Sequence, residues 1–315
     1  MNEININIET VAKKMVSVII PAYKSEFLKD AISSVLSQSY TIIELIIVND
    51  NSPNDITSVV KSFDDIRIRY YENDSNLGRT DLVANWNKCL SYVTGDYFSL
   101  LCDDDLYDPF FIERMVDLAN KFPHTNVFRS RVKIIDSDNE IIDYYPSSPE
   151  WESTTDYMWH VFKNYRWQTV TEFMYRTYHI RDCGGYVSLP LGWYSDFFSV
   201  FVFSVEGGIV STNECLVSFR MSGNNITSLK TENSEKKLLA AKLFKDYVVD
   251  FIKKNKFANE NVLLFLLKKR VLEQSKFVLI HTSFKTLFKV YFSMDKYELK
   301  FKDIFVSFIR KILFI

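Results

Sequence analysis

The stretch Ser99–Pro109, SLLCDDDLYDP, runs an apolar strand straight into three consecutive carboxylates. Like charges on Asp103, Asp104 and Asp105 repel, so they belong either to a loop screened by water and salt or around a bound cation. Asp108 and Pro109 need no cation. Asp is a good N-cap and Pro suits a first helical turn, so this pair is expected to open the helix FFIERMVDLANKF.

Upstream, VSVII (16–20) and ELIIV (44–48) read as short buried strands, IRIRYYE (66–72) as a third and YFSLL (97–101) as a fourth. FLKDAISSVLSQ and the segment from Arg79 to Val93 carry apolar residues at helical spacing. Strands alternating with helices predict an α/β fold with a parallel sheet and right-handed crossovers. Downstream, VFRSRVKII, EIIDYY, TVTEFMYR and LVSFR read as strands, and WESTTDYMWHVFKNY and WYSDFFSVFVFSV as helices. From about residue 233 the chain reads as wholly helical.

With 315 residues, 47% hydrophobic and 16% aromatic, the chain is long enough for one large domain or two small ones. Its four cysteines form no C-x-x-C pair, which argues against a zinc site or a disulfide framework and fits a reducing cytoplasm. The polar start MNEININIETVAKK lacks the apolar core of a signal peptide, and no apolar run reaches 18 residues. The net charge of −2 hides an asymmetry. Residues 1–229 hold 19 Lys+Arg against 31 Asp+Glu, and residues 230–315 hold 19 against 9. An acidic body argues against a nucleic-acid partner, and the basic tail suggests a partner of its own.

In open α/β sheets, ligands bind beyond the C-terminal strand ends where strand order reverses. Asp50 follows the second strand and Asp103–Asp105 the fourth; if the first strand lies between them, its exit PAYK (21–24) lines the same crevice. A lone Asp can accept a uracil imide N–H or bind ribose hydroxyls. Clustered carboxylates hold Mg²⁺ or Mn²⁺, which bridges pyrophosphate oxygens. Neither G-x-x-x-x-G-K-[ST] nor G-x-G-x-x-G is present, so no glycine-rich loop cradles phosphate.

The blocks VSVIIPAYK, ELIIVNDNSPND and SNLGRTDLVANWNKCLSYVTGDYFSLLCDDDLYDP resemble the nucleotide-binding half of family 2 glycosyltransferases, closely over residues 16–110 and loosely over 165–228. The resemblance implies a GT-A fold: a mixed, mostly parallel sheet flanked by helices, with a C-terminal helical extension. It divides the chain into a GT-A domain (1–229, with 1–110 binding nucleotide and 111–229 the acceptor) and a helical basic region (230–315). It places Asp50 against the base, and Pro21, Ala22 and Tyr23 along the nucleotide. The family's Asp-x-Asp motif falls on Cys102–Asp105, giving Asp103 to ribose or metal, and Asp104 with Asp105 to Mn²⁺ or Mg²⁺. Arg79 becomes a counter-charge to the diphosphate, and Asn87 is either a donor-binding residue or part of a solvated helix face, as is Asn85. Trp86 is expected in the core.

Inverting sugar transfer needs a carboxylate to take the acceptor's proton. Asp196, near the start of an apolar helix, is that candidate, against a plain helix-start role; family members place their base at the head of a helix in the same chain order. In VSFRMSGNNITS, Arg220 is kept, while Ser222 stands where relatives often have a metal-binding His. The four histidines (124, 160, 179, 281) show no ligand spacing and read as structural.

The implied activity is transfer from a nucleotide-diphospho-sugar, a UDP-sugar by expectation, to a glycan or lipid-linked acceptor in cell-surface polysaccharide or glycolipid synthesis. The alternative is an inactive glycan- or nucleotide-binding scaffold. The expected location is cytoplasmic. The tail FKDIFVSFIRKILFI groups Phe301, Ile304, Phe305, Phe308, Ile309, Ile312 and Leu313 on one face. Two readings of it stand level: a helix packed as core, or a peripheral contact with the inner face of the cell membrane.

Overall fold

The computed structural model describes residues 14–222 and 233–313. The N-terminal run 1–13 and the stretch GNNITS (223–228), both read above, lie outside the described residues.

Strand β1 (Val16–Ala22) lies between β2 (Ile43–Asn49) and β4 (Tyr97–Leu100), parallel to both, and β3 (Ile68–Glu72) continues the parallel run beyond β2. Strand order therefore reverses at β1, as the sequence led us to expect, and the exits of β1, β2 and β4 share one rim. Near-continuous apolar runs suit β1 and β2 because helices cover both faces of a parallel sheet.

Beyond β4 the sheet becomes mixed. β9 (Phe173–Arg176) runs antiparallel to both β4 and β6 (Val127–Ile135), and β10 (Ile209–Arg220) runs parallel to β6. β5 (Leu106–Tyr107), directly after the acidic triplet, closes the order as an antiparallel partner of β10. The α/β architecture with a mostly parallel sheet flanked by helices is the one expected.

Some boundaries differ from the sequence reading. In TVTEFMYR only Phe173–Arg176 is strand, because Val170–Glu172 forms a 3₁₀ turn closed by a capping box between Thr169 and Glu172. Helix α3 (Leu82–Ser91) starts later than Arg79, with Asp81 as its N-cap. Asp108 accepts from the Phe110 N–H in the turn before the next helix, which begins only at Phe111.

Two apolar layers sandwich the sheet. One holds α1 (Leu28–Leu36), α2 (Ile56–Lys61) and α4 (Phe111–Lys121). The other holds α3, α5 (Thr154–Phe162), α7 (Ser195–Phe203), α8 (Ser234–Asn255) and α9 (Glu260–His281). Phe244, Val248, Leu263 and Leu267 of α8 and α9 share this layer with Ile19, Ile46 and Phe98 of the sheet. α8 and α9 thus share the hydrophobic core of the sheet. α10 (Phe284–Phe292) and α11 (Phe301–Leu313) pack in a separate small cluster with Leu238 of α8 and Leu279 of α9.

Candidate active site

The exit of β1 is held between the Asp103 carboxylate and the Asp50 backbone. Asp103 Oδ2 accepts from the backbone N–H groups of Tyr23 and Lys24, both at 2.7 Å. On the other side, the Asp50 N–H donates to Ala22 O at 3.0 Å. Pro21, Ala22 and Tyr23 therefore line the crevice between Asp50 and the acidic turn, and the Tyr23 side chain is exposed. Burial pushes the Asp103 carboxyl up to about 6, against the two backbone hydrogen bonds that favour its anion.

Asp50 organises a loop. Its Oδ1 accepts from Leu77 N at 2.9 Å and from Asn73 Nδ2 at 2.8 Å, and its Oδ2 from Gly78 N at 2.7 Å. Asn73 Nδ2 also donates to Asn85 Oδ1 at 3.0 Å, which makes Asn85 a buried supporting residue. A Cβ at Gly78 would sit 2.9 Å from Asp50 Oδ2, so a larger residue there would push the carboxylate out of its place. The loop carries Arg79, whose side chain is exposed.

Asn87 takes a different place from the one expected. Its Nδ2 donates to Tyr186 O at 2.9 Å and its Oδ1 accepts from Tyr186 N at 2.8 Å. The amide clamps the 186 segment to α3 instead of facing the crevice. Trp86 packs in the core, as expected.

Within the triplet the three carboxylates separate. Asp104 pairs with Lys24 Nζ at 3.3 Å and is 6% exposed. Asp105 is fully buried, its Oδ2 accepting from Thr171 Oγ1 at 2.7 Å and its Oδ1 from Arg220 N at 2.9 Å. Burial, with the charge of Asp104, pushes the Asp105 carboxyl up to about 8. Both of its oxygens tie the turn to β10 and the 3₁₀ turn, whereas the expectation had set Asp105 with Asp104 as a metal ligand. Arg220 completes this brace. It is fully buried, donates to Asp104 O at 2.9 Å, Asp136 O at 2.9 Å and Asn139 Oδ1 at 2.7 Å, and lies over the Phe27 ring at 4.1 Å.

Asp196 sits at the second residue of α7, behind an unusual entry. Leu191, Gly192 and Tyr194 all have left-handed backbones, with φ of 65°, 68° and 68°. Such a run for non-glycine residues is costly and persists only when the surroundings fix it. Ser195 Oγ accepts from Leu189 N at 3.0 Å, Ser199 Oγ from Val187 N at 2.9 Å, and Ser188 Oγ donates to the Asp81 carboxylate. The N-cap of α3 thus also holds the acceptor-side loop. Gln168 Nε2 donates to Asp196 Oδ2 at 3.2 Å. Burial pushes the Asp196 carboxyl up to about 6, the Gln168 bond opposing it. Burial raises the Tyr145 hydroxyl, and the charges of Glu172, Asp105 and Asp196 add to that rise.

Gln168 was missed from sequence because a Gln before a strand carries no spacing signal. Beneath it, Arg129 and Glu172 form a buried ion pair, with Arg129 over the Tyr157 and Phe173 rings. Among the histidines, His160, His179 and His281 each place a ring nitrogen against a backbone carbonyl at 2.7–2.8 Å, as structural residues do.

Among the described residues, no three His, Cys, Asp or Glu side chains are arranged to hold a metal ion by themselves. Mg²⁺ and Mn²⁺ sites on nucleotides need only one or two protein carboxylates, with phosphate and water completing the shell. Asp104 at the mouth of the crevice, with Asp103 beside it, fits that requirement. No helix among the described residues is long and apolar enough to cross a membrane.

The glycosyl transferase family 2 model matches residues 17–186, more than half of the 315-residue chain. An uncharacterised glycosyltransferase of Rickettsia typhi is 34% identical over 114 residues, covering 36% of this chain and 34% of its own. One from Haemophilus influenzae is 33% identical over 124 residues, covering 38% of each chain. The chain therefore spans only about a third of the length of these relatives. In fold, it is similar to Staphylococcus aureus TarS (residues 1–349, in complex with UDP-GlcNAc), with a TM-score of 0.68 at 13% identity over 83% of this chain and 74% of that one. It is also similar to a mannosyltransferase of Pyrobaculum calidifontis in complex with GDP-Man and Mn²⁺, with a TM-score of 0.58 at 13% identity over 86% of this chain and 73% of that one. From the extent of the family match and the geometry of the strand-end crevice, the chain belongs to glycosyl transferase family 2.

Proposed function

We propose that this glycosyltransferase moves a sugar with inversion from a UDP-sugar to an acceptor hydroxyl in cell-surface polysaccharide or glycolipid assembly. The observation that carries the reading is the environment of Asp196: a carboxylate at a helix start, raised to about 6 by burial and oriented by Gln168. A base tuned toward the working pH is what proton removal from a hydroxyl requires.

In this reading the nucleotide lies along Pro21–Tyr23, with the base toward Asp50 and the loop it fixes. Asp50 acts through Leu77 and Gly78 as much as by direct contact. Asp103 holds the Tyr23–Lys24 backbone against the diphosphate, and Arg79 supplies a counter-charge. Asp104, supported by Asp103, would hold Mn²⁺ or Mg²⁺, which neutralises charge on the leaving diphosphate. On the other side of the crevice, Asp196 takes the acceptor's proton as its oxygen bonds to the anomeric carbon. The bond from that carbon to the diphosphate oxygen breaks, and the electron pair leaves with UDP.

The test compares transfer rate and UDP affinity for the wild type and Asp196→Asn. Transfer should fall by roughly 10²- to 10⁴-fold, the usual worth of a general base. UDP affinity should hold. Near-normal turnover in the variant would return Asp196 to a helix-start role, and absence of any UDP-sugar turnover in the wild type would favour the scaffold alternative.

A further inference from the structure

Helices α10 and α11 carry an apolar face that the body does not cover. α11 turns Asp303, Ile304 and Ser307 inward, where Asp303 pairs with Lys276 Nζ at 3.0 Å. Its outward side presents Phe301, Phe305, Phe308 and Ile312, each 38–55% exposed. On α10, Leu287 and Val290 are buried while Phe288 and Phe292 stand 65% and 71% exposed. Rings link the two helices, Phe284 to Phe308 at 5.9 Å and Tyr291 to Phe301 at 6.0 Å. Between them lies an apolar groove of about 280 Å³, lined by side chains of these two helices alone. So much exposed aromatic surface in one patch marks an interaction site.

The sequence reading placed one apolar face on α11 and left its partner open. The structure divides that face: Ile304 alone packs on the body, and the rest points away from it. Core packing therefore does not account for the pattern.

Charge selects the occupant. Residues 284–313 hold seven Lys+Arg against three Asp+Glu, and Lys285, next to Phe284, and Lys300 and Lys302, flanking Phe301, are all exposed. A second copy docking face to face would bring its own cations against these, and like charges across an interface are unfavourable. An anionic bilayer offers hydrocarbon for the rings and headgroup charge for the basic rim. Each basic residue near such a surface adds attraction, and an apolar face plus a basic rim supplies the two signals that stable peripheral binding needs.

We propose that the α10–α11 face docks on a lipid surface carrying anionic headgroups, with its aromatic side chains entering the interface. This stands independently of the active-site reading, because it uses none of the crevice residues.

The experiment sediments the full chain with vesicles of phosphatidylcholine alone or mixed with phosphatidylglycerol. Binding should appear with the mixed vesicles and weaken at high salt. Phe288→Ser combined with Phe305→Ser should reduce it at least about tenfold, with the melting temperature unchanged because both side chains are exposed. Lys300→Glu with Lys302→Glu should reduce it similarly while leaving the rings in place, so the proposal stays testable if the first variant folds poorly. No binding to anionic vesicles at low salt overturns the proposal, as does binding that neither variant changes. Concentration-dependent self-association, abolished by the serine variant and unaffected by vesicles, would assign the face to a second copy instead.

Discussion

Gln168 Nε2 donates to Asp196 Oδ2 at 3.2 Å, and the Tyr157 hydroxyl donates to the other end of the same amide. Tyr157 is fully buried, so it fixes which end of Gln168 faces the acid. The Arg129 guanidinium lies over the Tyr157 ring, and its ion pair with Glu172 anchors the turn that follows Gln168. A buried polar network thus reaches from β6 to the proposed base, and each member holds the next in one orientation.

That network gives the first prediction. With Asp196 raised to about 6, kcat/KM for transfer should lose activity as pH falls through about 6, because only the carboxylate accepts a proton. Gln168→Leu removes a bond that favours the anion, so the acid limb should move to higher pH. Stability runs in the opposite sense. A folded pKa above the unfolded one gives a contribution present below about 4 and lost as pH rises through about 6. Asp196→Asn should therefore be at least as stable as wild type at pH 7. pH–rate profiles and thermal melts measure both, and an acid limb that ignores Gln168→Leu would remove Gln168 from a positioning role.

The second prediction concerns the cation. UDP should raise the melting temperature much more with Mn²⁺ or Mg²⁺ than with EDTA, and Asp104→Ala should erase the difference. Ligand at about 100 times its Kd adds roughly 2.7 kcal/mol. Equal stabilisation with and without metal would remove Asp104 from ion binding.

The third separates Asp105 from its neighbour. Asp105→Ala leaves Thr171 Oγ1 and Arg220 N without their acceptor, a loss of about 1–3 kcal/mol for buried groups. The folded fraction should still bind UDP with the same metal dependence as wild type. A variant of normal stability that has lost metal dependence would restore Asp105 as a ligand.

The strand–helix alternation and the rim of acidic residues were legible in sequence because parallel strands leave continuous apolar runs and their exits leave turn chemistry. The division of labour within the triplet was not. Asp103, Asp104 and Asp105 are chemically alike, and they differ in the partner that meets each: the Tyr23 and Lys24 N–H groups just past β1 for Asp103, the Lys24 ammonium for Asp104, and the Arg220 N–H of β10 for Asp105. The clamp made by Asn87 was hidden for the same reason, since its partner Tyr186 lies 99 residues away. The change in charge at residue 230 reports the surface, and it gave no sign that side chains of α8 and α9 share the core of the sheet.

The last prediction follows from that shared core. Tyr194, left-handed at the entry to α7, stacks on Phe244 of α8 with ring centroids 4.7 Å apart and planes 16° apart. Lys237 Nζ lies 4.8 Å from the centre of the neighbouring Trp193 ring. Helix α8 therefore braces the strained loop that leads into Asp196, the proposed base. Phe244→Ala removes a buried ring and should cost about 3–5 kcal/mol. Phe244→Leu keeps most of the volume and should fold, yet it loses the flat surface that holds the Tyr194 ring. In that milder variant kcat should fall while UDP affinity and its metal dependence stay at wild-type values, because the nucleotide half is untouched. Transfer assays beside UDP titrations would show the split. Wild-type turnover in Phe244→Leu would mean that Tyr194 needs no brace from α8, and that residues from 234 onward serve the core alone.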